Sequence, residues 1–332
     1  MAAHATSRRY KELRFQQLRS FAETARLGSL AAAAASLGVA QPTVWAQVHA
    51  LERSLNAQLI EPHGRGCRLT DAGTLLAQLA GPLVTGMDSL GRVFREQLQQ
   101  VEACLTVAAP QRILVEELPE VIAAFERQHP QVRLNLLERM SGTVAEAVEK
   151  GTADLGISTE QEAGEATPWL HYELGYELDI LLICPPSHPL AKKDRIGLRD
   201  LKGYPLVNAV NGFPRREIAA ALQKLGAFAV QPRRVEAVNT PVIRRYVEMG
   251  LGIGIVVGRR GQIQPRQLCA HSLSRHFGLV EVNLIWRKGV LPQPHARAFA
   301  DTVQQLLGKK YQAAGRPSQA TTRTRVSEKH ES

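Results

Sequence analysis

Apolar residues recur along this chain with a period that changes twice, and each change marks a different part of the molecule. Phe15, Leu18, Phe21, Ala22 and Ala25 follow helical spacing. A short helical block, Leu30 to Leu37, lies between Gly28-Ser29 and Gly38. A third helix opens at Gln41-Pro42, a first-turn position where proline's missing N–H is harmless, and turns Val44, Val48, Leu51 and Leu55 inward. From about Thr74 to Val101 the pattern narrows: Leu76, Ala80, Leu83, Met87, Leu90, Phe94, Gln97 and Val101 alternate spacings of four and three. That is the seam of a helix that pairs with another helix, or packs on its own domain. Gly81, Gly86 and Gly91 weaken it, and Pro82 should bend or restart the helix.

Beyond residue 103 strands and helices alternate. Strands are expected at 104–109, 132–137, 154–157, 178–184, 206–207, 234–238, 253–257 and 279–286. Helices are expected up to about 128 and at 143–150, 215–225, 240–249 and 296–307. Such alternation predicts parallel sheet with crossover helices. Two α/β lobes joined by two chain crossings fit a hinged binder that holds a ligand in its cleft. The expected division is a basic, disordered stretch 1–12, a helical first domain 13–73, a linker helix 74–102, a two-lobed domain 103–308 and a disordered tail 309–332. Lobe I takes about 103–180 and 278–308, and lobe II about 181–277.

The chemistry of the first region points to DNA. Two helices joined by a tight glycine turn, the second led by small polar side chains, are what a major-groove reader needs. Gln41, Pro42, Thr43, Trp45, Gln47 and His49 lie on or beside the outward face of the second helix, with Ser29 before the first and Arg53 further along. His63-Gly64-Arg65-Gly66-Cys67-Arg68-Leu69 reads as a glycine-bent basic hairpin, with Arg65 and Arg68 placed to grip phosphates.

Charge adds little. The formal net charge is +10, but residues 1–102 hold 11 Lys/Arg against 8 Asp/Glu, residues 103–308 hold 24 against 21, and the tail 6 against 2. The first domain is therefore only mildly basic, and the motif carries the reading rather than the charge. Cys67, Cys104, Cys184 and Cys269 are far apart in sequence and have no metal-ligand spacing, so reduced, idle thiols are expected, with no metal and no cofactor. There is no leader pattern and no apolar run that spans a bilayer, so a cytoplasmic protein without a membrane partner is expected.

The order and spacing of these residues resemble a known family. Phe15 to Phe21, Gly28-Ser29-Leu30, Ala33-Ala34, Leu37, Val39 to Val44, Leu51-Glu52, Leu55, Gln58-Leu59 and Leu69 to Gly73 resemble the N-terminal domain of LysR-type transcriptional regulators. Gly151 to Ile157, Ser187 to Leu190, Leu201 and Val247 to Gly254 resemble that family's effector domain, which is akin to type 2 periplasmic binding proteins. The resemblance implies a winged helix-turn-helix, a linker helix that dimerises, and a two-lobed α/β effector domain. It implies a homodimer or homotetramer that binds promoter DNA and a small-molecule effector and acts on RNA polymerase. Asp154 to Glu160, Tyr204 to Val207, Gly212-Phe213 and Pro241 to Val247 are similar to the branch that regulates cysteine and sulfur assimilation. The chain departs from the family at Trp45-Ala46, where a serine and a basic residue are usual, and at Ile60 and Pro62, where phenylalanine and arginine are usual. Trp45 either packs against a neighbouring helix or touches a thymine methyl or a sugar; a third reading is that DNA binding is lost.

Ligands in open α/β lobes sit beyond the carboxyl ends of strands. Pro110, Gln111 and Arg112, Ser158 and Thr159, and Asn239 and Thr240 occupy such ends, with Asn208 and Phe213 beside them. Small hydroxyl and amide groups there suit an anion or carboxylate such as sulfate or an amino-acid derivative. The plain alternatives are that Ser158 and Thr159 are turn residues and that Asn239 or Thr240 caps its helix. Arg112 would pair with a ligand carboxylate or stand as a solvated arginine. The sulfur-linked branch carries threonine and glutamine where this chain has Pro110-Gln111-Arg112-Ile113, which implies a different ligand. No nucleophile elbow, phosphate loop or clustered metal ligands point to an enzyme, and Gly250 to Gly254 lies between a helix and a strand, the wrong setting for a dinucleotide loop. A DNA-binding protein whose second domain only makes protein contacts is the alternative, followed by a two-lobed enzyme.

Overall fold

Helix ends in the first domain are set by local chemistry. In a computed structural model, which describes residues 14–98, 101–140, 142–159, 169–209, 236–237, 239–263, 267–291 and 293–308, the chain opens with α1 (Phe15–Leu27), α2 (Leu30–Leu37) and α3 (Gln41–Leu55). Gly28 and Gly38 close α1 and α2 in the left-handed region, and the Ser29 hydroxyl accepts the Ala32 N–H to start α2. Phe21, Ala33, Val44, Val48 and Leu51 are wholly buried together. Leu55, expected inward, is 38% exposed. It is the last residue of α3, which ends at left-handed Asn56, so its turn overshoots the core. Strands β1 (Ile60–His63) and β2 (Gly66–Leu69) then form the expected antiparallel hairpin.

Helix α4 (Asp71–Gln97) starts earlier than expected because the Thr70 hydroxyl accepts the Gly73 N–H at 3.0 Å. It runs through Pro82 without a restart. Outside packing supports that turn: there is no room for a side chain at Gly81, against the Trp169 ring, or at Gly289, against Pro82. The expected seam needs correction in its first half. Leu76 packs on the first domain's core and Ala80 is buried, whereas Leu75 and Leu79 are exposed. From Leu83 the stripe is as expected, with Leu83, Met87, Leu90 and Phe94 all about half exposed or more.

The remaining strands are β3 (Ala103–Ala109), β4 (Val132–Glu138), β5 (Leu155–Ser158), β6 (Leu170–Cys184), β7 (Leu206–Ala209), β8 (Glu236–Ala237), β9 (Ile253–Gly258), β10 (Cys269–Ser272) and β11 (Val280–Arg287). The helices are α5 (Gln111–Glu116), α6 (Leu118–Gln128), α7 (Val144–Glu149), α8 (Thr240–Glu248), the single turn α9 (Ser274–Phe277) and α10 (Pro294–Val303). One helix was expected where α5 and α6 stand; Pro119 in the first turn of α6 starts a new helix there. Strand β6 is 15 residues long, twice the expected length.

The described chain divides into two compact units, one ending at Leu174 and completed by Val282–Ala300, the other formed by Gly175–Glu281 and the residues from Asp301. The boundaries fall inside β6 and β11. In the first unit the strand order is β4-β3-β5-β11, with β3 parallel to β4 and β5 and β11 antiparallel to β5. In the second unit β8, β7 and β9 are parallel neighbours, and β6 joins β9 antiparallel with β10 on its other side. The sheets are thus mixed where parallel pairing was expected, because β6, β10 and β11 run against their neighbours. The second unit's core is built on Leu181, Ile183, Val207, Ile243, Val247 and Val256. Gly254 lies under Ile243, Ile183 and Val247, each about 3 Å from where a side chain would begin, which accounts for glycine between helix and strand without a nucleotide. The expected helix 215–225, Phe213, residues 1–12 and the tail 309–332 lie outside the described residues. Among the described residues no helix is long and apolar enough to cross a membrane.

Candidate functional site

The outward face of α3 and the hairpin after it form the first candidate surface. Gln41, Pro42, Thr43 and Ala46 are exposed, and Trp45 is 53% exposed. The reading that Trp45 packs on a neighbouring helix is corrected: its ring neighbour is His49, one turn on, edge-on with centroids 4.2 Å apart. Helix geometry requires this, since Val44 and Val48 point to the core and residue 45 then points away. His49 in turn contacts Glu52 through Nδ1. Glu52 accepts the Leu59 N–H at 2.8 Å and the Ile60 N–H at 3.3 Å, so one carboxylate orients the ring pair and ties α3 to the hairpin. The motif Leu51-Glu52 carried that signal without revealing it. Gln47 is not a free reader: the buried Ser20 hydroxyl donates to its Oε1. Ser29 serves as the α2 cap.

The hairpin is held against the helices by backbone. The Cys67 N–H donates to the Gly28 carbonyl at 2.9 Å. A Cβ on Gly66 would stand 2.4 Å from that same oxygen, so glycine is required by the close approach. Arg65 projects from the exposed turn, while Arg68 pairs with Glu61 across the hairpin. Arg53, in the last turn of α3, and Arg65 have no ion-pair partner among the described residues. Cations at these places and an exposed aromatic ring on α3 can hold phosphates and an apolar base edge.

Candidate ligand residues fall into two groups, one in each unit. In the first, Ala108 is in register with Gly156, which brings Pro110-Gln111 and Ser158-Thr159 to the same end of adjacent strands. Ser158 is a buried strand residue rather than a turn, and Thr159 is half-buried. Arg112 meets neither expectation. Its guanidinium pairs with Glu117, whose side chain is wholly buried, and it keeps only 11% exposure itself. Nothing periodic marks that pair, since it bridges the break between α5 and α6. In the second unit Asn208 is in register with Glu236, near Asn239. The capping alternative holds for Asn239, whose Oδ1 accepts the Val242 N–H at 3.0 Å; Thr240 is the first residue of α8.

A cavity of about 490 Å³ in the first unit escaped the sequence. Arg92, His171, Glu173, Trp286, Leu291 and Arg297 are among the residues that line it. Arg297 forks onto Glu173 at 2.7 and 3.0 Å. Arg92 pairs with Asp154 at 3.1 Å, and the Asp154 Oδ2 accepts the Thr106 N–H. All four cysteines are free thiols, but Cys184 and Cys269, far apart in sequence, are opposed on neighbouring strands.

Known proteins align with both regions. Residues 15–74 match the model of the bacterial regulatory helix-turn-helix protein, lysR family, and residues 99–308 match the LysR substrate binding domain. The HTH-type transcriptional regulator CysB of Burkholderia cenocepacia is 32% identical over 69% of this chain and 72% of its own length. The HTH-type transcriptional regulator cbl of Escherichia coli is 27% identical over 87% of this chain and 92% of its own. Among solved structures, HinK, a LysR family transcriptional regulator from Pseudomonas aeruginosa, superposes with a TM-score of 0.52 at 23% identity, over 89% of this chain and 99% of that one. This last likeness concerns the fold.

Proposed function

The chain belongs to the LysR family of DNA-binding transcriptional regulators, with an N-terminal helix-turn-helix and an effector-binding domain, and from this we propose how it reads DNA and what it senses. Regulators of this family bind DNA and small-molecule effectors and assemble as oligomers. Trp45, Gln41 and Thr43 on α3 meet base edges in the major groove, and Arg65 and Arg53 hold flanking phosphates. The observation that carries this is the exposed Trp45 ring, fixed by His49 and Glu52, on the face turned away from the core. The exposed stripe of α4 pairs with a second copy, so that two such faces meet two half-sites.

The effector is a small polar molecule, sulfate- or carboxylate-bearing, taken up by hydroxyl, amide and backbone groups at Gln111, Ser158 and Thr159. Arg112, committed to Glu117, supports that site from behind. Similarity to the CysB and cbl regulators supports a sulfur-linked signal, carried by a ligand other than that branch's own, since Pro110 to Ile113 depart from it. The domain acts as a sensor and not as a catalyst.

The test is a mobility shift on DNA upstream of the chain's own gene, repeated across salt concentration, with wild type and Trp45→Ala. A specific, salt-sensitive shift that weakens about tenfold or more in the variant is expected, the loss of a base contact being worth roughly 1–3 kcal/mol. Equal binding to unrelated DNA by both proteins would overturn the reading. The ligand half is tested by thermal stabilisation with sulfate, thiosulfate and small amino-acid derivatives; a flat response to all of them would leave the sulfur assignment without support.

A further inference from the structure

Strands β6 and β10 run antiparallel with Cys184 directly opposite Cys269. Opposed residues of an antiparallel pair project from the same face. That face is not the one packed on the second unit's core, to which the alternating residues Leu181, Ile183 and Ala270 contribute. Cys184 is wholly buried and Cys269 is partly exposed. Cys67 and Cys104 have no such neighbour, for they stand opposite Pro62 and Arg133.

The spacing is that of a bridgeable pair. The Leu273 N–H donates to the Ile180 carbonyl at 2.7 Å, which makes residues 180 and 273 a hydrogen-bonded rung. Alternation along the ladder puts 184 and 269 in the same class, with α-carbons about 5.5 Å apart. Disulfides span α-carbon separations of about 4.4–6.8 Å. The β-carbons of opposed residues are about 4.5–5.5 Å apart, wider than the roughly 3.8 Å of a relaxed disulfide. The strands must therefore draw together slightly, and the bond formed is strained, which is the kind that reductants reopen. Burial, with Cys269 beside it, pushes the Cys184 thiol up to about 11, so the reaction starts at the sulfur that solvent reaches.

We propose that Cys184 and Cys269 form a thiol modification site, a cross-strand pair that peroxide converts into a reversible disulfide tying β10 to β6. In the first step the Cys269 thiolate attacks a peroxide oxygen. The O–O bond breaks, hydroxide leaves, and the sulfur is oxidised to a sulfenic acid. The Cys184 sulfur then displaces that oxygen. The S–S bond forms, the S–O bond breaks, and the Cys184 proton leaves with the oxygen as water. Overall two thiols and one hydrogen peroxide give one disulfide and two waters. A monothiol reopens the bond by exchange.

The test treats the folded, full-length protein with a few molar equivalents of hydrogen peroxide, enough to carry an unpartnered thiol to the sulfinic acid, alkylates the remaining thiols, and maps peptides without reduction. The expected result is a cross-link between the Cys184 and Cys269 peptides, lighter by two hydrogens and within one chain, with Cys67 and Cys104 alkylated. 2-Mercaptoethanol should return both thiols. In the variant Cys184→Ser, Cys269 has no partner and should gain two oxygens as sulfinic acid under the same dose, where the wild type does not. A wild type in which Cys269 reaches the sulfinic acid while Cys184 stays alkylatable would overturn the proposal. So would a cross-link that involves Cys67 or Cys104, or one that appears only after denaturation.

Discussion

Replacing Arg112 by methionine separates a structural arginine from a ligand-binding one. The Arg112 guanidinium contacts a Glu117 side chain with no exposure, and is itself only 11% exposed. Arg112→Met keeps most of the side-chain volume and removes the charge that faces the buried Glu117 carboxylate. Loss of one partner of a buried ion pair costs about 3–5 kcal/mol, whereas replacing both by apolar groups of similar volume is often close to neutral. In a domain of this size 1 kcal/mol moves the unfolding midpoint by about 2–4 °C. The single variant should therefore melt on the order of 10 °C lower than wild type. The double variant Arg112→Met/Glu117→Leu should recover most of that loss. Thermal unfolding of the four proteins, with and without an effector, gives the full cycle. The reasoning fails if Arg112→Met melts within about 2 °C of wild type while its stabilisation by effector disappears. Arg112 would then be a ligand contact and Glu117 an incidental neighbour.

A side chain on Gly66 would begin 2.4 Å from the Gly28 carbonyl oxygen. Gly66→Val should therefore displace the hairpin, lower stability by about 1–3 kcal/mol and weaken operator binding without changing oligomer size; mobility shift and light scattering check both, and wild-type DNA affinity would refute it. Burial holds the imidazoles of His188, His271 and His295 below the usual histidine range. The folded chain then binds fewer protons than the unfolded one below pH ~6.5, so this stability is complete above that pH and is lost as pH falls from there through the lowered folded-state values. The melting midpoint should fall between about pH 7.5 and pH 5, and His271→Asn should flatten the fall; an unaltered slope would exclude His271 as a contributor. Leu90 and Phe94 are 48% and 59% exposed on α4. Leu90→Glu/Phe94→Glu should halve the particle mass seen by light scattering, and an unchanged mass would place the oligomer contact elsewhere.

The first domain was legible because its punctuation is local. Gly28, Ser29, Gly38 and Pro42 act on backbone within a turn of themselves, and the structure ends and starts its helices at those residues. The linker seam was read one residue out in its first half because α4 is apolar on two faces there. Leu76 and Ala77 serve the core while Leu75 and Leu79 face away, and a 3.6-residue period cannot say which stripe meets which partner. The first half of β6, Leu170 to Glu177, carries Glu173 and Glu177 among its apolar residues and gave no run to recognise. Candidate ligand residues could be placed at strand ends by topology alone. The commitment of Arg112 to Glu117, and of Gln47 to Ser20, depends on contacts between helices that spacing does not encode.

Helix α4 shows why a linker of this kind carries so many small and apolar residues. A helix that is apolar on two faces requires two partners. Its own unit supplies one: Trp169 lies over Gly81, the backbone of Gly289 lies over Pro82, the Ser89 hydroxyl accepts the Leu291 N–H at 3.2 Å, and Arg92 pairs with Asp154. Gly81 and Gly289 are needed because a β-carbon at either would overlap its neighbour. The stripe from Leu83 to Phe94 finds no cover among the described residues, and a self-complementary stripe on a helix is covered most simply by its symmetry mate. Asp154 precedes β5, whose end carries Ser158, and its other oxygen holds the Thr106 N–H of β3. One carboxylate thus joins the two strands that bear the candidate ligand residues to α4, so these three elements are held together by an ion pair and a backbone hydrogen bond rather than through loose chain.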